Sequence, residues 1–490
     1  MKTIRRFEDI DHFDRTTDIV IAGFGGAGSC AAIEARRAGS DVLLLEWSSG
    51  PGGSTALSAC EIYLGGSGGT RLQKDVGLSD STENFYNYLV ACFEDVGDPA
   101  RMRAYAEGAA EHFDWVEAMG IKYNRSVFWG RDVVAMTDDS LMFTGNERVY
   151  PFNTKSDPIP RGHLAGGAGH DGGKVVMAAI VKNVEKEGAD RLFDARVTAL
   201  IQDRDGRVRG VVARIDNAET FIAARQGVIL TCGGFIMNEQ MTAQHIPRLA
   251  SLGTRHGNPG DKGDGIILGI AAGGHAINMG EAFYGIATYP PAEMTYGILL
   301  NDKAQRFVNE DSYLARIGIY ASYQQNDQIY MFMDNRHFGR SEFVQNTEIV
   351  AVGETVEEVE RESGLPEGAL QQTVAYYNLH AAKGEDPLFH KAANWLLPFD
   401  SPPYALVNYK LSNIKPHVFT LGGLDTLPTG EVLTPSREVI PGLYAAGRTA
   451  AGIPRSSRGY ASGMSVGDAT YFGRMAGRQA AKAARWTQRN

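Results

Sequence analysis

One phenol stands alone in the stretch SSRGYASGMSVGD, Ser456 to Asp468. Tyr460 sits there among serines and glycines, with Arg455 and Arg458 just before it and helical apolar spacing soon after. A tyrosine can carry a proton, but its ordinary pKa of about 10 makes it a poor base near neutrality unless neighbours stabilise its anion. Ser462, two residues on, offers such a hydroxyl, or serves as a plain helix N-cap. A second phenol, Tyr313, follows an acidic run in RFVNEDSYL. The four cysteines, Cys30, Cys60, Cys92 and Cys232, form no CxxC or zinc-ligand spacing. His163 and His170, in PRGHLAGGAGHDGG, have only Asp171 as a nearby carboxylate, so no metal site is expected.

The other chemistry-bearing residues are glycines. DIVIAGFGGAGSCAAIEARRAGSDVLLLEW reads as strand, turn, helix and strand. Gly23, Gly25 and Gly28, with Ala27 between the last two, give GxGxxG after a strand and opening a helix. The first glycine permits the turn, the second lets backbone approach a pyrophosphate, and the third lets helix pack on strand. The helix N-terminus favours the anion. Glu46 closes the second strand, where a carboxylate can accept ribose hydroxyls. A second glycine pair, Gly52 and Gly53, with Ser54 and Thr55, follows at once. It suits backbone passing beneath an extended dinucleotide, which favours FAD over NAD.

The bulk numbers fit such a chain. At 490 residues two domains are a fair expectation. The composition, 43% apolar and 22% charged, is that of a globular protein with ample core. A net charge of −10 argues against nucleic acid as a partner. No stretch nears the roughly 20 apolar residues that span a bilayer, and no secretion signal opens the chain. With the cysteine pattern, this points to a reducing, cytoplasmic location.

GxGxxG, then Glu46, then GGST resembles the FAD-binding segment of the fumarate reductase/succinate dehydrogenase flavoprotein superfamily. Further matches follow in order. ARVTAL resembles the strand whose backbone, near Val197, meets the adenine. GVILTCGGF, the GDG helix with Asp264, RFVNE, TLGGLDT and GEVL follow, then IPGLYAAGR, ending at Gly447 and Arg448. The resemblance implies FAD. Some of these families tether the flavin to a histidine after the GG pair; residues 54–61 contain none, so the FAD should be non-covalent. In the last helix, Val466, Ala469, Gly473, Ala476, Gly477 and Ala480 share one small-residued face, as packing under a flat ring would require. The superfamily places that helix's N-terminus, here Gly463 to Val466 with Ser465, at the flavin pyrimidine.

The substrate follows from replacements. The superfamily's fumarate reductases hold two carboxylates with cations. At the matching positions this chain has Phe419, Leu314 and Tyr460, and no histidine occurs in 276–307. An uncompensated buried charge costs several kcal/mol, so the substrate should be neutral and largely apolar. Tyr313 and Tyr460 in place of cations resemble the 3-ketosteroid dehydrogenases, most of all the Δ4-(5α) type, whose Tyr-x-Ser corresponds to Tyr460 and Ser462. EIYLGGSGGTRLQ, Glu61 to Gln73, also looks like that type. The resemblance implies a steroid substrate, an unidentified electron acceptor, Tyr460 as base, a relay through Ser462 and Tyr313, and the Gly463 N–H as donor to the C3 enolate oxygen. Exchange of the two tyrosines' roles stays open. So do the Δ1 reaction, reduction of another neutral enone, and a subunit that only passes electrons.

The fold expected is α/β. A discontinuous Rossmann-like FAD-binding domain, residues 1–274 and 420–490, would carry an inserted α+β capping domain, 275–419, bringing Tyr313 over the flavin.

Overall fold

The computed structural model describes residues 3–487. Its centre is a nine-stranded sheet. Ala218–Leu230, Arg15–Ala22, Val42–Leu45 and Asp190–Leu192 lie side by side, each parallel to the next. Ile19, Val20, Ile21 and Leu44 are fully buried, as strands covered on both faces must be. Ala218–Leu230 changes partner along its length. Its first half pairs antiparallel with Val208–Ile215, and its last three residues pair parallel with Val439–Ala445. That last pairing brings a segment from far along the chain to within one strand of Arg15–Ala22, which leads into the glycine turn.

Helix Gly26–Arg37 connects Arg15–Ala22 to Val42–Leu45. Helix Met464–Lys482 lies directly on it. A Cβ at Gly473 would sit 2.4 Å from the Ala27 carbonyl oxygen, and one at Gly477 2.2 Å from that of Ala31. Only glycine permits two backbones to come so near. This corrects the expectation for the small face: most of it packs on the first helix rather than beneath a ring. Two arginines of the same helix are paired with acids. Arg474 is fully buried, paired with Glu111 at 2.9 Å and lying over Trp115 at 4.5 Å, and Arg478 pairs with Glu34.

The second region has its own sheet, four antiparallel strands in the order Ile298–Asn301, Ile329–Asp334, Tyr404–Asn408 and Glu348–Gly353. Helices Val356–Ser363 and Ala369–Ala381 cover one face. Helix Leu314–Ser322 belongs to the core of the other. A buried ion cluster of Arg306, Glu310, Asp386 and Lys391 ties its loops together. A small sheet of Thr254–Arg255, His417–Thr420 and Ala282–Gly285 links the regions. One apolar cluster draws on both: Phe283, Ala287, Tyr313, Leu314, Ala315, Leu421 and Tyr460. Among the described residues no helix is long and apolar enough to cross a membrane.

Candidate active site

The glycine turn, the last helix and the second region surround a cavity of about 480 Å³. The parts of its wall are built differently.

The glycine part comes from Gly23, Gly25, Gly26 and Ala27. Gly23 has φ +109°, and a Cβ there would lie 2.5 Å from the Thr231 carbonyl oxygen. Gly28 does not face the cavity. Its missing Cβ admits the Gly23 carbonyl, which would otherwise be 2.0 Å away. Gly52, φ +133°, also stays behind the wall, its N–H donating to the Phe24 carbonyl at 2.9 Å. Gly53, Ser54 and Thr55 line the cavity. So do Glu46, Val197, Asp264, Gly447, Arg448, Ser465 and Val466.

Each acid on this part of the wall has a partner. Glu46 accepts from the Phe24 N–H at 2.8 Å and from the Ser48 N–H at 2.9 Å. Asp264 opens helix Asp264–Ala271 and forms a two-pronged pair with Arg196 at 3.0 and 3.1 Å. Asp261, three residues earlier, accepts from Ser54 Oγ at 2.8 Å and pairs with Arg448. Arg196 lies inside ARVTAL and Asp261 just before the GDG helix, and neither is singled out from the sequence alone. A second acid three residues before Asp264 was the available signal.

FAD fits this wall. Gly23, Gly25, Gly26 and Gly53 bare the backbone on this wall, and helices Gly26–Arg37 and Met464–Lys482 both point N-termini at the cavity. First-turn amides of a helix have no partner within it and are available to anionic or carbonyl oxygens.

The remaining wall is aromatic. Tyr460 sits at the end of a short 3-10 turn, Ser457–Gly459. Arg455 is buried and steadies that loop by donating to the Gly452 and Ala451 carbonyls at 3.0 and 3.1 Å. Ser457 ties it to the second region, accepting from the Tyr284 N–H at 3.0 Å and donating to the Ala315 carbonyl at 3.1 Å. Tyr313 precedes helix Leu314–Ser322, and its N–H donates to Asn146 Oδ1 at 2.8 Å. The two phenol rings lie 6.4 Å apart, nearly parallel. Phe283 stacks on Phe419 at 4.5 Å, and Phe283 meets the Tyr460 ring edge-on at 4.9 Å. Each aromatic pair adds about 0.5–1.5 kcal/mol beyond area burial, so the wall is stiff as well as apolar.

Both phenols are buried, and burial raises their pKa values. Tyr460 is pushed up to about 12, although the hydroxyl and N–H of Ser465 favour its phenolate. Tyr313 is also pushed well up, with Tyr289 and Tyr460 adding to burial and Ser462 opposing it. Tyr460 donates to Ser465 Oγ at 2.8 Å. The resting hydrogen bond therefore runs to Ser465 and not, as the relay reading expected, to Ser462. A five-residue step from the loop into the first helical turn brings Ser465 under the phenol. Ser462 lines the cavity, clamped by its N–H on the Thr144 carbonyl and its carbonyl on Thr144 Oγ1, both at 2.8 Å. The helix N-cap is Gly463, φ +91°, not Ser462. Gly463 lines the cavity too.

Tyr63 faces elsewhere, donating to Glu147 at 2.9 Å. His163 is buried, bonded to Thr70 at 2.8 Å and to the Arg161 carbonyl at 2.8 Å, so it serves the fold. His170 lines the cavity. The sequence reading missed Phe283, Ser457 and Glu61 as parts of the site.

A family model described as an FAD binding domain matches residues 18–464. Among solved structures, the 3-ketosteroid-Δ4-(5α)-dehydrogenase of Rhodococcus jostii RHA1, in complex with 4-androstene-3,17-dione, superposes with a TM-score of 0.90. It is 38% identical, with 98% of this chain and 99% of that one covered. The 3-oxo-5-alpha-steroid 4-dehydrogenase of Comamonas testosteroni is 26% identical, covering 88% of this chain and 92% of its own length. A probable fumarate reductase of Shewanella frigidimarina is 26% identical over 95% of this chain and 75% of its own length. The chain therefore belongs to the FAD binding domain family, as an FAD-dependent oxidoreductase acting on CH–CH groups, alongside the 3-ketosteroid Δ4-(5α)-dehydrogenases of the fumarate reductase/succinate dehydrogenase flavoprotein superfamily.

Proposed function

We propose that this protein introduces the C4–C5 double bond of a 3-oxo-5α-steroid, giving the 3-oxo-4-ene. One observation carries the reading. Two phenols, one from each region, meet in an aromatic pocket. Arg196 and Arg448 are the arginines on the cavity wall, and each is already paired with an acid. A dicarboxylate would find no unpaired arginine on that wall, whereas a neutral ketone needs none.

In this reading Gly23, Gly25 and Gly26 hold the pyrophosphate of a non-covalent FAD, Glu46 the ribose, Val197 the adenine, and the amides of Ser465 and Val466 the pyrimidine. FAD bound there supplies the acceptor for the C5 hydride. Tyr460 takes the C4 proton, which the C3 carbonyl acidifies. It is the better base of the two phenols because the hydroxyl and N–H of Ser465 both stabilise its anion. Tyr313, with Ser462 beside it, is the second proton station. The Gly463 N–H supports the enolate oxygen. Residues 275–419 act as the cap that delivers Tyr313.

The test is anaerobic mixing with a saturated 3-keto-5α-steroid while the flavin visible band is followed. Bleaching with the 4-ene ketone as product supports the reading. Bleaching by a 4-ene substrate to the 1,4-diene assigns the Δ1 reaction instead. A flavin that dithionite bleaches and neither steroid does sinks the steroid reading.

A further inference from the structure

Four carboxylates line the cavity: Glu46, Glu61, Asp261 and Asp264. Backbone amides hold Glu46, and arginines hold both aspartates. Glu61 differs. It is 6% exposed, and among the described residues no arginine, lysine or neighbouring hydroxyl bonds its carboxyl; only its own backbone N–H is in reach. An unpaired buried carboxylate is costly, so a fold that keeps one on a cavity wall needs a reason.

Its surroundings supply one. Glu61 is locked against the loop that carries Tyr460 and Ser462. The next residue but one, Tyr63, donates its N–H to the Gly463 carbonyl at 3.2 Å. A Cβ at Gly463 would come within 2.9 Å of the Glu61 carbonyl. Both phenols feel its charge, which helps to keep them protonated. That is also the difficulty with a tyrosine base. With a pKa near 12, only about one Tyr460 in 10⁵ is ionised at neutrality. Something must accept its proton.

We propose that Glu61 is the terminal proton acceptor of this site, taking through the phenols the proton that leaves the substrate. The proposal rests on the dehydrogenation assigned above. As the hydride leaves C5 for the bound FAD, the C4–H electron pair becomes the new π bond. The C4 proton joins a phenol oxygen, and that phenol's own proton passes to the Glu61 carboxylate. The phenols end neutral and Glu61 ends as a neutral acid, so the carboxylate's negative charge is withdrawn as the hydride's charge arrives on the cofactor, and the total is unchanged. Glu61 gives the proton to solvent when the product leaves. Burial supports this poise, raising the carboxyl pKa to about 7. The other titratable groups facing it are Tyr313 and Tyr460 across the cavity and Cys60 beside it. Behind its strand, Tyr63 and Glu147 are bonded to each other, and His170 and Arg448 lie elsewhere on the same wall.

Two measurements on the FAD-loaded enzyme decide it. Stopped-flow bleaching by the saturated 3-keto-5α-steroid should quicken about tenfold per pH unit below about pH 7 and level off above it. E61Q should keep FAD and steroid binding, lose that limb, and bleach on the order of 10²-fold more slowly at about pH 8. E61D, which restores a carboxyl, should regain the limb. An E61Q that keeps the limb, or stays within about threefold of the parent at about pH 8, overturns the proposal. Infrared difference titration without substrate is the second measurement. A carboxylic acid band that titrates near neutrality in the parent and is missing in E61Q supports it, and a Glu61 ionised throughout that range overturns it. If no steroid bleaches the parent flavin at any pH, the substrate reading fails, and the infrared titration still decides whether Glu61 is poised to accept a proton.

Discussion

The two parts of the cavity wall treat their charges in opposite ways. On the cofactor part every acid is spoken for, by amides at Glu46 and by arginines at Asp261 and Asp264. The hydrogen bonds there fix the direction in which each carboxylate points. On the substrate part the phenols are pushed up, one carboxylate is left unpaired, and aromatic rings fill the rest. A wall of paired charges holds a ligand in place. A wall of unpaired, shifted acids can move protons. One cavity thus separates binding from chemistry by how completely its acids are satisfied.

Four substitutions would break or sharpen that contrast. Gly28→Val should have the largest effect, because its Cβ would lie 2.0 Å from the Gly23 carbonyl oxygen. FAD should be lost almost completely, read as a colourless protein after purification; a yellow Gly28→Val protein would mean that the turn gives way. Tyr460→Phe should keep FAD and slow the anaerobic bleaching by roughly 10³-fold. A slowing of only a few-fold would move the base to Tyr313. Asp261→Asn lies on the binding side of the contrast. FAD affinity should fall about tenfold as Arg448 loses its partner, while the bleaching rate of the loaded protein stays within about threefold. A large loss of rate at full loading would show that the two walls are not separate in function.

The smallest effect is on stability. The Glu61 pKa is raised in the folded protein to about 7 from 4.5. The folded state therefore holds that proton more tightly than the unfolded chain. Its contribution is fully present below about pH 4.5 and is lost as pH rises through about 7, up to about 3 kcal/mol in all. Glu61→Gln should then melt a few degrees higher than the parent at about pH 8 and close to it at about pH 4. Equal shifts at both pH values would mean that Glu61 is not charged when buried.

The cofactor half was legible because its demands are on backbone. A tight turn, a close approach and a helix–strand contact each require glycine, so Gly23, Gly25 and Gly28 stand out in order. The sequence does not reveal which glycines face the ligand. Gly28 and Gly52 stand behind the wall, since admitting a carbonyl and baring a surface call for the same residue. The small face of the last helix was misread for the same reason: a flat ring and a neighbouring helix both exclude side chains, and here the helix is the neighbour for most of it. The substrate half was legible at Tyr313, Tyr460, Ser462, Gly463 and Phe419, by resemblance. Ser465 became the phenol's partner through the geometry of the Gly463 turn, and Glu61 became a site residue through what fails to reach it. Neither property is carried by spacing along the chain.

The seam between the first and last helices also has a consequence for synthesis. Helix Gly26–Arg37 leaves the ribosome early, yet the helix whose glycines admit Ala27 and Ala31 begins only at Met464. At roughly 5–20 residues per second, the nascent nucleotide fold waits about 20–90 s for its second half. Throughout that interval its alanine face is bare, so the time in which this protein is exposed to misassembly is set by translation speed rather than by folding.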